Sequence, residues 1–241
     1  MIKKISFAAL MLILGFAVNA QQKMTYDANA EKRTVGSFNG IKVSTGISLY
    51  ISQDGAEEVA VSASAEEDRN KIKTEVVNGI LKIYYDKENS WTFRSGKKKQ
   101  LKAWVSFKTI DSFTGSAGST TTADGSIKAN TLSLDISSGA YFTADIFCTS
   151  LNADVSSGAR ATLSGSTESL IVKASSGGNF EGYNFKTSIC NADVSNGGDV
   201  EITATKEITA EASSGGEIKY KGTAIIKEFL KSSGGSIKKE D

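Results

Sequence analysis

Through the C-terminal half of this chain, apolar and polar residues alternate, and the alternation restarts at a nearly constant interval. Counted back from a recurring glycine, the apolar positions form columns. Seven residues before it stand Leu132, Leu151, Leu170, Cys190 and Ile208; five before stand Leu134, Ala153, Val172, Ala192, Ala210 and Phe229; three before stand Ile136, Val155, Ala174, Val194 and Ala212. Between them come polar residues: Ser133, Asn152, Asn191 and Thr209, then Asp135, Asp154, Lys173, Asp193 and Glu211. Three residues after the glycine the alternation resumes with Phe142, Ala161, Phe180, Val200, Ile218 and Ile237. Alternation of this kind predicts strands, because successive side chains point to opposite faces.

The glycines that set the register are Gly118, Gly139, Gly158, Gly177, Gly197, Gly215 and Gly234, spaced 21, 19, 19, 20, 18 and 19 residues apart. Each lies in a small-residue turn of the type Ser156-Ser157-Gly158-Ala159 or Ser175-Ser176-Gly177-Gly178. A fixed period of this length predicts a solenoid, in which every coil buries its apolar face against the next. Glycine suits a corner repeated in each coil because it reaches positive φ without Cβ strain. Each coil then reads as strand, tight bend, strand and a looser return, with a perimeter of roughly 60 Å at about 3.3 Å per residue. The fold class expected is all-β: a right-handed single-stranded β-helix behind a β-rich N-terminal head. Parity places Ser138, Ser157, Ser176, Asn196, Ser214 and Ser233 on the inner side of the corner, stacked to hydrogen-bond up a column. A hexapeptide helix lacks its six-residue period here, and the leucine-rich repeat frame is absent.

The chain divides into four stretches. Residues 1–20 read as a signal peptide: Lys3 and Lys4 precede an apolar core from Phe7 to Val18, and Val18-Asn19-Ala20 is a small-residue cleavage site. Residues 21–37 form a linker. Residues 38–110 read as the head, in which Ile72–Val77 and Ile80–Tyr85 flank Asn78-Gly79, the strongest two-residue hairpin signal. Residues 111–241 carry the Ser-Gly repeats. The apolar run at the start is too short for a comfortable membrane span, and no transmembrane segment follows. The expectation is export, to the periplasm, the outer surface or the medium.

Removing the signal shifts the net charge from +1 to −1. A near-neutral chain offers nothing to neutralise phosphates, so no nucleic-acid partner is expected. Cys148 and Cys190 fall two coils apart and at different phases of the repeat, roughly 9–10 Å along the axis. A disulfide needs Cα atoms within about 7 Å, which favours two free thiols.

Phe38-Asn39-Gly40-Ile41-Lys42-Val43, Ile47-Ser48-Leu49-Tyr50-Ile51, Asn78-Gly79-Ile80-Leu81-Lys82-Ile83 and the Ser-Gly turns from Gly115 onward resemble the DUF2807 family, the head GIN domain of auto-transporter adhesins. The resemblance covers roughly residues 36 to 235. Where that family tends to carry a proline before the first Ser-Gly turn, this chain reads Val105-Ser106-Phe107-Lys108-Thr109-Ile110. The resemblance implies a secreted or surface β-helical protein of Bacteroidetes-like bacteria and carries no established activity.

Candidate chemistry is sparse. The chain has no histidine, which removes the commonest general base and zinc ligand. No serine sits in a G-x-S-x-G elbow, and no cofactor motif is present. The best polar constellation is the column Asp135, Asp154, Lys173, Asp193, Glu211. Asp135 and Asp154, about 5 Å apart on adjacent coils, are weak metal candidates for Ca²⁺, with Lys173 or Arg160 as a base. The plainer reading is a solvated face on which Lys173 bridges Asp154 and Asp193. A second surface is the loop from Asp86 to Lys99, whose Trp91, Phe93 and Arg94 are binding candidates, since loop aromatics and Arg favour contact hot spots. The alternative there is that the aromatics fold back onto the end of the solenoid.

Two function classes stay open. One is a noncatalytic surface or periplasmic module, adhesin-like, that binds glycan, envelope polymer or a surface protein. The other is a glycan-degrading β-helix enzyme of polysaccharide-lyase type.

Overall fold

The computed structural model describes residues 26–86 and 99–241; the signal segment 1–20 lies outside them. The protein is a β-solenoid of about seven turns. In chain order its strands are β1 (Glu31–Arg33), β2 (Gly40–Val43), β3 (Ser48–Gln53), β4 (Glu58–Ser62), β5 (Ile72–Val77), β6 (Ile80–Tyr85), β7 (Lys102–Phe107) and β8 (Ser112–Gly115). Then follow β9 (Thr120–Ile136), β10 (Tyr141–Ser156), β11 (Arg160–Ser175), β12 (Asn179–Val194), β13 (Asp199–Ala212), β14 (Glu217–Lys221), β15 (Ile225–Lys231) and β16 (Ser236–Lys239). Among the described residues one short helix, α1 (Glu66–Asn70), lies between β4 and β5.

Each repeat stacks on the next in parallel, with like positions over like. Asn152 lies between Ser133 and Ile171, and Val155 between Ile136 and Ala174. The inward column after the corner runs Leu49, Thr121, Phe142, Ala161, Phe180, Val200, Ile218 and Ile237, all buried. Large and small residues alternate along much of it. Phe142 has Thr121 and Ala161 as ladder neighbours, and its ring meets that of Phe113 at 4.7 Å. Burying a phenylalanine fully stabilises the fold by about 1.5–3 kcal/mol, so this column is a main source of cohesion between coils.

The return is more regular than alternation alone suggests. β10, β11 and β12 stay in strand conformation from one corner to the next, 16 residues each. Register slips between Thr143 and Asp145, and between Thr162 and Ser164, absorb the bend. Threonines finish the far corner: the Thr167, Thr187, Thr205 and Thr223 hydroxyls donate to backbone carbonyls at 2.8–3.1 Å.

The Ser-Gly corner carries two left-handed residues in succession, Ser138 at φ 53° and Gly139 at φ 69° in one coil, with equivalent pairs in the others, where Ala117 and Asn196 replace the serine in two of them. Two positive φ values are the signature of a type I′ turn, closed here by Ala140 N–H donating to Ser137 C=O at 3.1 Å. The inward serine column expected from parity is not formed. Ser138, Ser157, Ser176, Asn196, Ser214 and Ser233 are all exposed. Parity holds only while the backbone is extended, and consecutive left-handed residues turn the second serine out to solvent. The backbone makes the vertical bonds instead: Gly139 N–H donates to Ser157 C=O at 3.0 Å and Gly158 N–H to Ser176 C=O at 3.1 Å.

Spatial order departs from chain order in the head. β2 and β3 lie between β8 and β9 on one side and β6 and β7 on the other. An additional corner, Thr45 at φ 64° and Gly46 at φ 70°, joins β2 to β3, and Gly46 N–H donates to Ala117 C=O at 3.0 Å. The predicted hairpin forms β5 and β6, with Asn78 and Gly79 both at positive φ. Antiparallel β4 and β1 extend the sheet beyond β7 and close the N-terminal end, as a solenoid end requires. Ion pairs tie the first described residues across it: Lys32 to Glu58 at 3.0 Å, Lys102 to Asp27 at 3.3 Å and Arg69 to Glu31 at 3.0 Å.

Both cysteines are free. Burial pushes the Cys190 thiol up to about 12. Burial also raises Cys148, whose sulfur lies 3.5 Å from the Thr167 hydroxyl.

Candidate binding face

The strands that follow the Ser-Gly corner form one flat side of the solenoid. Two outward columns run along it. The first is Lys102, Ser48, Thr120, Tyr141, Arg160, Asn179, Asp199, Glu217, Ser236; the second is Trp104, Tyr50, Thr122, Thr143, Thr162, Glu181, Glu201, Lys219, Lys238. Their chemistry changes along the axis. Near the head the face is aromatic and threonine-rich, and toward the far end it is acidic with interleaved lysines.

At the head end Trp104 is nearly covered. Tyr50 stacks on one side of it at 5.8 Å and 22° between planes, and Tyr26 meets it edge-on at 5.8 Å. Tyr50 is 38% exposed and Tyr141 52% exposed. Thr120, Thr122 and Thr143, the ladder residues around them, are all exposed. Two coil spacings and two residues along the strand separate the tyrosines, roughly 9–10 Å by about 7 Å. The stack on Trp104 holds the Tyr50 ring in place. The glycine count predicts Tyr141, since an even offset after Gly139 points outward; Tyr50 stands the same way after Gly46, a corner outside the repeat period. The sequence reading did not single them out.

At the far end the charges compensate one another. Thr162 donates to Glu181 at 2.8 Å, and Arg160 pairs with Glu181 at 3.1 Å. Lys219 lies 3.4 Å from Asp199 and 3.0 Å from Glu217, and Lys238 lies 2.7 Å from Glu217. The two lysine hydrogen bonds hold the Glu217 carboxyl below its usual range, whereas burial, with Asp199 beside it, raises that of Glu201.

The opposite side, formed before the corner, carries the other candidate. Asp135, Asp154, Lys173, Asp193 and Glu211 do stack as one column. Burial and the Asp135 charge raise the Asp154 carboxyl, with Lys173 opposing them. Two expectations fail here. None of the ion pairs found among the described residues joins Lys173 to Asp154 or Asp193, so the lysine spaces the acids without bridging them. Arg160 follows the corner and pairs with Glu181 on the other side of the solenoid, so it cannot serve the Asp135–Asp154 pair as a base. Among the described residues no group of three or more metal-ligating side chains could hold an ion.

Trp91, Phe93 and Arg94 lie outside the described residues. The flanking strands are in place: β6 ends at Tyr85, and β7, which carries Trp104 and lies between β3 and β4, begins at Lys102. No helix among the described residues is long and apolar enough to cross a membrane.

The family model described as "Putative auto-transporter adhesin, head GIN domain" (DUF2807) matches residues 37–224. Among solved structures, a putative adhesin from Bacteroides fragilis is 22% identical with a TM-score of 0.78, over 88% of this chain and 96% of that one. A putative lipid binding protein from Parabacteroides distasonis is 18% identical with a TM-score of 0.68, over 89% and 98%. A putative adhesin from Parabacteroides distasonis is 17% identical with a TM-score of 0.69, over 88% and 96%. At these identities the likeness is one of fold. None of the curated proteins matches the chain.

Proposed function

The chain belongs to the DUF2807 family of adhesin head domains, and on that premise we propose that it is an exported, noncatalytic, adhesin-like module that binds a glycan of the cell envelope on its flat aromatic–threonine face. The observation that carries this reading is the pair Tyr50 and Tyr141, exposed on one sheet with threonine hydroxyls between them. Sugar rings present C–H faces that pack on aromatic rings and hydroxyls that exchange hydrogen bonds with threonine. A rigid sheet supplies both without the ordering cost of a flexible loop. Aromatic anchors carry a disproportionate share of binding energy, often about 2 kcal/mol or more each. Trp91, Phe93 and Arg94, in the segment between β6 and β7, remain candidates for a further contribution to binding.

The lyase reading is less well supported. It needs carboxylates and a cationic base in one groove, and Arg160 and the Asp135–Asp154 pair stand on different sides.

The test is titration of the exported protein against purified envelope polysaccharides by calorimetry. Tyr50→Ala with Tyr141→Ala should weaken binding at least about tenfold and leave the melting curve close to wild type. Trp91→Ala with Phe93→Ala measures the share of the loop. Unchanged affinity in the tyrosine pair, or calcium-dependent release of unsaturated sugars, overturns the reading. Binding to a surface protein with no affinity for any polysaccharide would keep the adhesin-like role and reject the glycan.

A further inference from the structure

The two ends of the solenoid are built differently. At the head, β5 and the antiparallel strands β4 and β1 cover the outermost coil, and Phe38, Ile72 and Tyr85 are buried there. At the other end β15 pairs with β13 on one side, and among the described residues no strand pairs with its other edge. Its ladder neighbours show the consequence. Ile208 is 0% exposed, whereas Ile226, directly over it in the same inward column, is 50% exposed. Ile225 and Leu230 are 68% and 49% exposed. This is a sheet edge with free backbone donors and acceptors, flanked by apolar side chains on both faces. Such edges recruit another strand.

We propose that this end is a self-association surface, on which a second copy of the chain stacks tail to tail through antiparallel pairing of β15 with β15. The strand's own sequence supports a like partner. Ile226, Phe229 and Lys231 stand over the inward residues Ile208, Ala210 and Ala212, and Ala224 packs against the core. Ile225, Glu228 and Leu230 stand over the outward Glu207, Thr209 and Glu211. A slip between Ile208 and Thr209 leaves Lys227 as a bulge.

Place a two-fold axis between Lys227 and Glu228. Ile226 then opposes Phe229 of the second copy, and Ala224 opposes Lys231, inward position against inward position. Ile225 opposes Leu230, outward against outward. Each bulged Lys227 faces Glu228 of the other copy. Shifting by one residue in either direction sets inward positions against outward ones and brings Glu228 against Glu228 or Lys227 against Lys227. A closed two-fold contact of this kind ends at the dimer, so the exposed edge is consumed without forming a fibre. The bulge and the two lysines, Lys227 and Lys231, disfavour pairing with unrelated strands, while leaving the self-complementary register open.

The experiment is sedimentation velocity of the exported chain over a range of concentrations, with folding followed by circular dichroism. A reversible dimer is expected. Lys227→Glu alone, and Glu228→Lys alone, each create like-charge pairs on both sides of the axis and should weaken the dimer at least about tenfold. Lys227→Glu combined with Glu228→Lys restores opposite charges and should recover most of that loss. Lys227 also pairs with Glu207 of its own chain at 3.3 Å, so a merely local effect of Lys227→Glu would persist in the double variant. A monomer at all concentrations, or a dimer indifferent to the single swaps, or single swaps that the double variant fails to rescue, each overturns the proposal.

Discussion

Gly198 lies so close to the coil below it that an added Cβ would sit 2.6 Å from the carbonyl oxygen of Ala174. Gly197, its neighbour, has nothing within 4 Å of its Cβ position but holds φ at +70°. The two glycines of this Asn-Gly-Gly corner are therefore required for different reasons, one for contact between coils and one for backbone conformation.

Substitution separates the two roles. Gly197→Ala should cost about 1–2 kcal/mol, the penalty of a left-handed L-residue. Gly197→Asn should cost less, because asparagine tolerates that region, as Asn196 does at φ 48° in the same turn. At Gly198 the order reverses. Alanine there forces the coils apart for about 1–3 kcal/mol, and asparagine is worse because its bulk meets the same carbonyl. Urea unfolding of the four variants checks this. Equal costs for asparagine and alanine at both positions would refute the assignment.

Much of this architecture is legible in the sequence because the solenoid repeats one environment. Once Gly139 and Gly158 fix the register, Leu151, Ala153 and Val155 fall inward by counting alone, and Asn78-Gly79 announces its hairpin through backbone chemistry. Failures come where the counting rule loses its physical basis. Ser138 points outward since two left-handed residues break the alternation. The corner at Thr45-Gly46 escapes the period because 72 residues separate Gly46 from Gly118. The position of β6 and β7 outside β2 and β3 rests on long-range parallel pairing, for which no local signal exists. Arg160 is near Asp154 in sequence, but the corner between them turns it onto another side of the solenoid.

The thiols offer a check on register in solution. Cys190 stands in the column of Leu170 and Ile208 and is fully buried, while Cys148 adjoins Thr167 at the far corner and is only partly covered. With no disulfide, denatured unreduced protein should take two alkyl groups by mass spectrometry. In the native state, burial raises both thiols above their ordinary values, so neither forms much thiolate at neutral pH and labelling should be slow. Cys148 should react first. A mass two units lower that reductant restores would mean that the two residues meet, which this stacking forbids.

Asp135 and Asp154 oppose each other on adjacent coils, and like charges in that relationship destabilise a sheet by a few tenths to about 1 kcal/mol. The Asp154 carboxyl is raised in the folded state, chiefly by burial and then by Asp135. A raised carboxyl means that the folded chain binds this proton more tightly than the unfolded chain does. The charged form therefore penalises folding above the folded pKa, and the penalty fades as pH falls and the group becomes protonated in both states. Asp154→Asn should accordingly stabilise the protein at neutral pH by up to about 1 kcal/mol, with the gain shrinking as pH falls through the raised carboxyl value and gone below the ordinary aspartate value of roughly 3.9. Asp135→Asn should give a smaller gain, because it removes the repulsion but leaves Asp154 desolvated. Melting curves of the two variants across pH 3 to 8 decide the matter, in the presence and absence of calcium. A loss of stability in Asp154→Asn at pH 7, or a calcium-dependent rise in the wild-type melting temperature that the variant lacks, would show the pair to be a cation site and not a strained stretch of surface.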